Sequence, residues 1–101
     1  MVNEINGLNE LNELVNTNKK VLVDVYAVWC GPCKMLSPIV DKVSEDLTDV
    51  TVVKVNIDDN EDVANKFGVE AIPTLLVFED GKLKNSNVGF VPEAKLRELV
   101  K

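Results

Sequence analysis

The chain has no histidine among its 101 residues. That removes the Cys–His pair with which cysteine hydrolases activate their thiol, and with it a cysteine-protease mechanism. Only two cysteines are present, half of what a structural zinc site takes. A metal would need carboxylates or a second chain to complete its shell, and none is expected. Basic residues are scarce, with 11 Lys and Arg against 17 Asp and Glu and a net charge of -6. Nucleic acid and anionic membrane surfaces need a basic face, so neither is an expected partner. No apolar run approaches the ~20 residues of a membrane-spanning helix. No glycine-rich dinucleotide loop is present, so the chain has no evident nucleotide site of its own. The opening stretch, Met1-Val2-Asn3-Glu4-Ile5-Asn6, has neither a basic start nor an apolar signal core. A cytoplasmic location is the expectation.

What is present centres on Trp29-Cys30-Gly31-Pro32-Cys33-Lys34. This stretch holds both cysteines and the only tryptophan. It follows the apolar run at 21–28 and precedes an amphipathic stretch. A dithiol is therefore placed where a buried strand ends and a helix begins. A helix N-terminus carries unpaired N–H groups and roughly half a positive charge. A thiolate there is stabilised, its pKa falls and it becomes a nucleophile at neutral pH. In a reducing compartment two cysteines are poor material for a structural staple.

The composition, 46% hydrophobic and 28% charged, predicts one folded domain over 1–101. Residues 2–5 read as a short edge strand. Asn6 is the expected cap of a helix over 7–16, with Leu8, Leu11, Leu14 and Val15 on one face. Residues 21–27 are apolar on both faces, as in a central strand covered by helices on each side. Asp24 breaks that run, and its Val and Leu neighbours predict a buried carboxylate near the dithiol. A helix is predicted over 33–47 from Met35, Leu36, Ile39, Val40, Val43 and Leu47. Pro38 lies inside it, so a kinked helix is expected there, with two short helices as the alternative. A strand over 51–57 follows, with one polar oddity, Lys54. Then come a turn at 58–60 and a short helix over 61–67 that ends on Gly68. Pro73 marks the start of a strand over 75–78, and Asp80-Gly81 signals a hairpin to an antiparallel strand over 82–88. Pro92 suits the first turn of a last helix, with Ala94, Leu96, Leu99 and Val100 toward the core. The order β-α-β-α-β-α-β-β-α predicts an α/β fold, a three-layer α/β/α sandwich. Its mixed five-stranded sheet has four flanking helices, the early strands parallel and the last two antiparallel.

A Cys-x-x-Cys beside a βαβ pattern is a redox signal, and thioredoxin is the standard example of that inference. Here the match extends over nearly the whole chain, which closely resembles the thioredoxin family. It takes in Val23-Asp24-Val25-Tyr26-Ala27, the six-residue dithiol motif, Pro38 and Lys54-Val55-Asn56-Ile57-Asp58. It continues through Gly68-Val69, Ile72-Pro73-Thr74-Leu75, Asp80-Gly81 and Val88-Gly89. The resemblance implies the thioredoxin fold, with Cys30 as the exposed attacking thiol and Cys33 as the buried resolving thiol. Asp24 would carry a proton beneath them, close to Lys54. It also implies a cis bond at Ile72-Pro73 facing the dithiol. Trp29, Gly31, Pro32, Ile72, Pro73 and Gly89 would line a docking surface. The chain departs from the family pattern at Tyr26, where Trp or Phe is usual, at Val28, often polar, and at Phe90, often smaller.

The expected activity is protein-disulfide reduction by thiol–disulfide exchange. Gly31 and Pro32 tune the dithiol, and no cofactor is needed beyond the reversible Cys30–Cys33 disulfide. Disulfide-containing proteins and a separate thioredoxin reductase are the expected partners of a monomeric chain. A disulfide oxidase or isomerase, and a binding module indifferent to redox turnover, are the alternatives.

Overall fold

The computed structural model describes residues 2–101. Strand β1 is Asn3–Glu4, helix α1 is Leu8–Thr17, strand β2 is Lys20–Tyr26 and helix α2 is Gly31–Asp46. Strand β3, Thr51–Asn56, runs into a single 3-10 turn, Ile57–Asp59, before helix α3, Glu61–Phe67. Strands β4, Thr74–Glu79, and β5, Lys82–Val88, form a hairpin that leads to helix α4, Glu93–Leu99.

The five strands lie in the order β1-β3-β2-β4-β5. Strands β1, β3 and β2 are parallel, as the alternation with helices implies. Strand β4 also follows a helix, yet it runs antiparallel to β2. The hairpin then places β5 at the edge, antiparallel to β4. Asp80 and Gly81 both have positive φ, 54° and 82°, which suits a tight two-residue hairpin.

Alternation along β2 and β3 sends side chains to two separate cores. On one face Val21, Val23, Val25, Val53 and Val55 pack with Leu11 and Val15 of α1 and Val63 of α3. On the other, Leu22 and Val52 pack with Leu36, Val40 and Val43 of α2 and Leu96 of α4. Each fully buried Leu or Val contributes about 1.5–3 kcal/mol. The two cores therefore clamp β2 from both sides, and the chain leaves that strand directly into the dithiol motif.

Several expectations need correction. Helix α2 starts at Gly31, two residues earlier than the periodicity suggests; it is one helix with Pro38 inside, as expected, and not the two-helix alternative. Met35 points outward, 63% exposed, because its neighbour Leu36 takes the core position. Ala94 is exposed, and Pro92 caps α4 from outside its first turn. Ile57 belongs to the 3-10 turn and not to β3.

Asn6 does not cap α1. The N-cap is Gly7, with φ 90°, and it makes no side-chain cap bond. The free N–H groups are met instead from the α3 region. Gly7 N donates to Asn60 Oδ1 at 2.6 Å and Leu8 N to Asp62 Oδ2 at 2.8 Å.

Candidate active site

The top of β2 sets the site. After Tyr26 the chain crosses in four residues to Gly31, and Cys30 occupies the N-cap position of α2. There Cys30 Sγ accepts the N–H of Cys33 at 3.2 Å. This is the place where a helix stabilises negative charge on sulfur. Pro32 lies in the first turn, where the missing N–H costs no helical bond. Cys30 and Cys33 are joined as a disulfide, with Cα atoms 5.3 Å apart.

Both sulfur residues are buried, Cys30 at 5% and Cys33 at 4% exposure. The expected contrast between an exposed and a buried cysteine is absent from this oxidised form. The bonded sulfurs share one small cluster with Ala27, against which Tyr26, Ile57 and Ile72 pack. What separates the two is position on the helix: only Cys30 Sγ receives a backbone N–H from the first turn.

Opposite the dithiol, Cys30 Sγ lies 3.9 Å from the Ile72 carbonyl oxygen. The Ile72-Pro73 bond is cis. Ile72 is half-buried and Pro73 buried. Pro73 accepts the N–H of Gly89 at 2.8 Å, so the end of the hairpin is tied to the same loop. Gly89 has φ 97°, a conformation costly for a side chain. A Cβ at Gly31 or Gly89 would meet nothing within 4 Å beyond its chain neighbours and, at Gly31, the adjoining helix backbone. The bare backbone at both glycines is thus open toward an incoming molecule. Large exposed apolar side chains flank them: Val28, Trp29, Met35, Val88 and Phe90. Trp29 is 68% exposed, and its indole N–H donates to Asp58 Oδ2 at 2.8 Å, which fixes the ring.

Asp24 lies on the face of β2 shared by Leu22 and Tyr26, buried at 5% exposure. Its Oδ1 has no hydrogen-bond partner. Burial pushes its pKa up to about 6, against the pull of Lys54, with Asp41 adding a smaller upward push. Lys54 is its direct neighbour across the parallel pair. The ammonium of Lys54 lies 5.6 Å from the centroid of the Tyr26 ring. A cleft of about 240 Å³, lined by Tyr26, Ala27, Val28, Cys33, Lys34 and Ser37, opens beside the second cysteine. It is large enough for several waters. Among the described residues, no group of three or more His, Cys, Asp or Glu is placed to hold a metal ion.

A thioredoxin family model matches residues 3–101. The chain is 47% identical over 92 residues to the thioredoxin of Mycoplasmoides gallisepticum, covering 91% of this chain and 92% of that one. It is 46% identical over 81 residues to the thioredoxin of Bacillus subtilis, covering 79% and 78%. Among solved structures, a mutant thioredoxin from Halobacterium salinarum superposes with a TM-score of 0.92 at 39% identity, covering 97% of this chain and 86% of that one. Oxidised mitochondrial thioredoxin 3 of Saccharomyces cerevisiae gives 0.91 at 35% identity, covering 97% and 92%.

The chain belongs to the thioredoxin family. Its architecture is the thioredoxin fold, and its activity is that of a thiol–disulfide oxidoreductase, with the Cys30–Cys33 pair at the active site. Among the described residues, no helix is long and apolar enough to cross a membrane.

The structure brings Cys30, Cys33, Ile72 and Pro73 together, ties Gly89 to Pro73 and seats Lys54 beside Asp24. Sequence reasoning missed Asp58, which holds Trp29, and Glu4, whose carboxylate accepts the Tyr26 hydroxyl at 2.6 Å. Neither carries a local signal. Each bond joins residues more than twenty positions apart.

Proposed function

We propose that this thioredoxin-family chain is a protein-disulfide reductase in which Cys30 attacks and Cys33 resolves. The Cys30 thiolate attacks one sulfur of a target disulfide, and the target's second sulfur leaves as a thiolate. Cys33 then loses its proton and attacks Cys30 Sγ. The Cys30–target bond breaks, the target leaves as a dithiol, and two electrons have passed to it from the chain. The observation that carries this order is the Cys33 N–H donated to Cys30 Sγ at 3.2 Å at the start of α2. A sulfur whose negative charge is stabilised there is ionised at neutral pH, which makes it the attacking thiolate.

Asp24 is the proposed proton acceptor for Cys33. Its buried, unpartnered Oδ1 and a pKa of about 6 suit a base that works near neutral pH. The cleft beside Cys33 offers room for a water to relay the proton. Lys54 holds the pKa of Asp24 below what burial alone would give. Trp29, Gly31, Pro32, Ile72, Pro73 and Gly89 would form the docking surface. There an extended target segment could lie against the loop at Ile72. Gly31 and Pro32 would also tune the dithiol.

The electrons are carried by the Cys30–Cys33 pair itself, so the reaction needs no further cofactor. A separate thioredoxin reductase would restore the dithiol. The unit is proposed to be the single domain over 1–101, monomeric and at work in the reducing cytoplasm.

The test is trapping. Cys33→Ser, offered a protein disulfide, should accumulate a covalent adduct through Cys30 that dithiol reductant releases. Cys30→Ser should accumulate none. An adduct formed preferentially by Cys30→Ser would reverse the assignment.

A further inference from the structure

Three strands place three charged residues in one row. Glu4 of β1 is the register partner of Lys54 of β3. Lys54 is in turn the register partner of Asp24 of β2. Register partners in parallel strands share a face, with neighbouring strands about 4.8 Å apart. A lysine thus stands between two carboxylates at similar spacing, and either could take it as an ion-pair partner. Lys54 closes an ion pair with neither.

Tyr26 accounts for that arrangement. It lies two residues beyond Asp24 and faces the same side of the sheet. Its hydroxyl donates to Glu4 Oε2 at 2.6 Å, reaching over β3 to do so. Its ring faces the Lys54 ammonium at 5.6 Å, a cation–π distance. One side chain therefore occupies the competing carboxylate and steadies the shared cation.

We propose that Tyr26 is a positioning residue: its hydroxyl holds the Glu4 carboxylate away from Lys54, so that the Lys54 charge acts on Asp24. The consequence for Cys33 deprotonation rests on the reading of Asp24 as its proton acceptor. The other groups around Asp24 do not supply the same control. Among the described residues, Asp41 of α2 also acts on it, in the opposite sense to Lys54. The facing residue of β4 is apolar Leu75. Tyr26 is itself faced by Glu4, Lys54, Asp24 and, from the 3-10 turn, Asp59.

Tyr26→Phe tests this with the ring left in place. It removes only the hydroxyl and frees Glu4 to pair with Lys54. The titration midpoint of the Asp24 carboxyl, read by carbon-detected NMR on the oxidised protein, should rise by several tenths of a pH unit. In a Glu4→Gln background the same substitution should leave the midpoint unmoved, because no competing charge remains. Equal shifts in both backgrounds, or no shift in either, would overturn the proposal. A hydroxyl that mattered only for packing would act alike in the two backgrounds. If the Asp24 midpoint responds as predicted while the pH profile of disulfide reduction ignores it, Tyr26 positions Lys54 as stated. The proton-acceptor role of Asp24 is then what fails.

Discussion

At the scale of single residues, the proton-acceptor role proposed for Asp24 sets function against stability. A carboxylate in water titrates near 3.8, and this one titrates near 6 because burial disfavours its charged form. Between those two values the folded chain holds a proton that the unfolded chain has released. Stability attributable to Asp24 therefore falls as pH rises from about 4 to about 6. Below that window the cost is absent; above it the cost is complete, on the order of 3 kcal/mol. Asp24→Asn removes the charge, so the variant should be more stable than the parent at pH 8 in urea unfolding. Its advantage should shrink toward pH 4. Its disulfide-reduction rate at neutral pH should fall by about tenfold or more. A variant less stable than the parent at pH 8 would mean that the carboxylate is not paying a burial penalty. Much of this was legible in the sequence. An acidic residue flanked by Val23 and Val25 in a strand apolar on both faces has nowhere exposed to point. The bond from Tyr26 to Glu4 was not legible, because it depends on β1 and β2 both flanking β3.

At the scale of elements, the N-terminus of α1 shows how local signals can mislead. Asn6 is the right residue type for a cap, and it stands next to the right place. The structure caps the helix from a distance. Asn60, 1% exposed, accepts from Gly7 N and donates to Asn56 O at 2.8 Å. Asp62 accepts from Leu8 N. Two helices far apart in sequence are fastened by side chains that no periodicity reveals. Asn60→Ala should leave one backbone donor and one backbone acceptor without their partner. The expected loss is about 2–4 kcal/mol in urea unfolding, with the Cys30–Cys33 chemistry intact. A loss below about 0.5 kcal/mol would show that water replaces both bonds and that the fastening is incidental. Helix α2 is the contrasting case. Its dithiol cap and its core positions at Leu36, Val40 and Val43 follow directly from the sequence. The start at Gly31, the continuity through Pro38 and the choice of Leu36 over Met35 as the inward residue needed the structure.

At the scale of the whole molecule, the alternation of strands and helices was enough to give three layers, because each apolar strand needs cover on both faces. It did not give the direction of β4. That strand follows a helix just as β3 does, yet it returns antiparallel to β2. The same return brings the Ile72-Pro73 loop opposite Cys30. The dithiol was readable from one motif, whereas the surface facing it is assembled from the ends of β2, β4 and β5 and depends on sheet order. The assembly is proposed to give electrons to protein disulfides. The reduction potential of the Cys30–Cys33 pair tests that most directly. The pair can be equilibrated against a dithiol buffer and followed by the fluorescence of Trp29, which an adjacent disulfide quenches. A potential of about -270 mV or lower, more reducing than the glutathione poise of about -220 to -260 mV found by extraction, is the predicted result. A value well above it would make the chain an oxidant or isomerase of disulfides and contradict the reductase assignment.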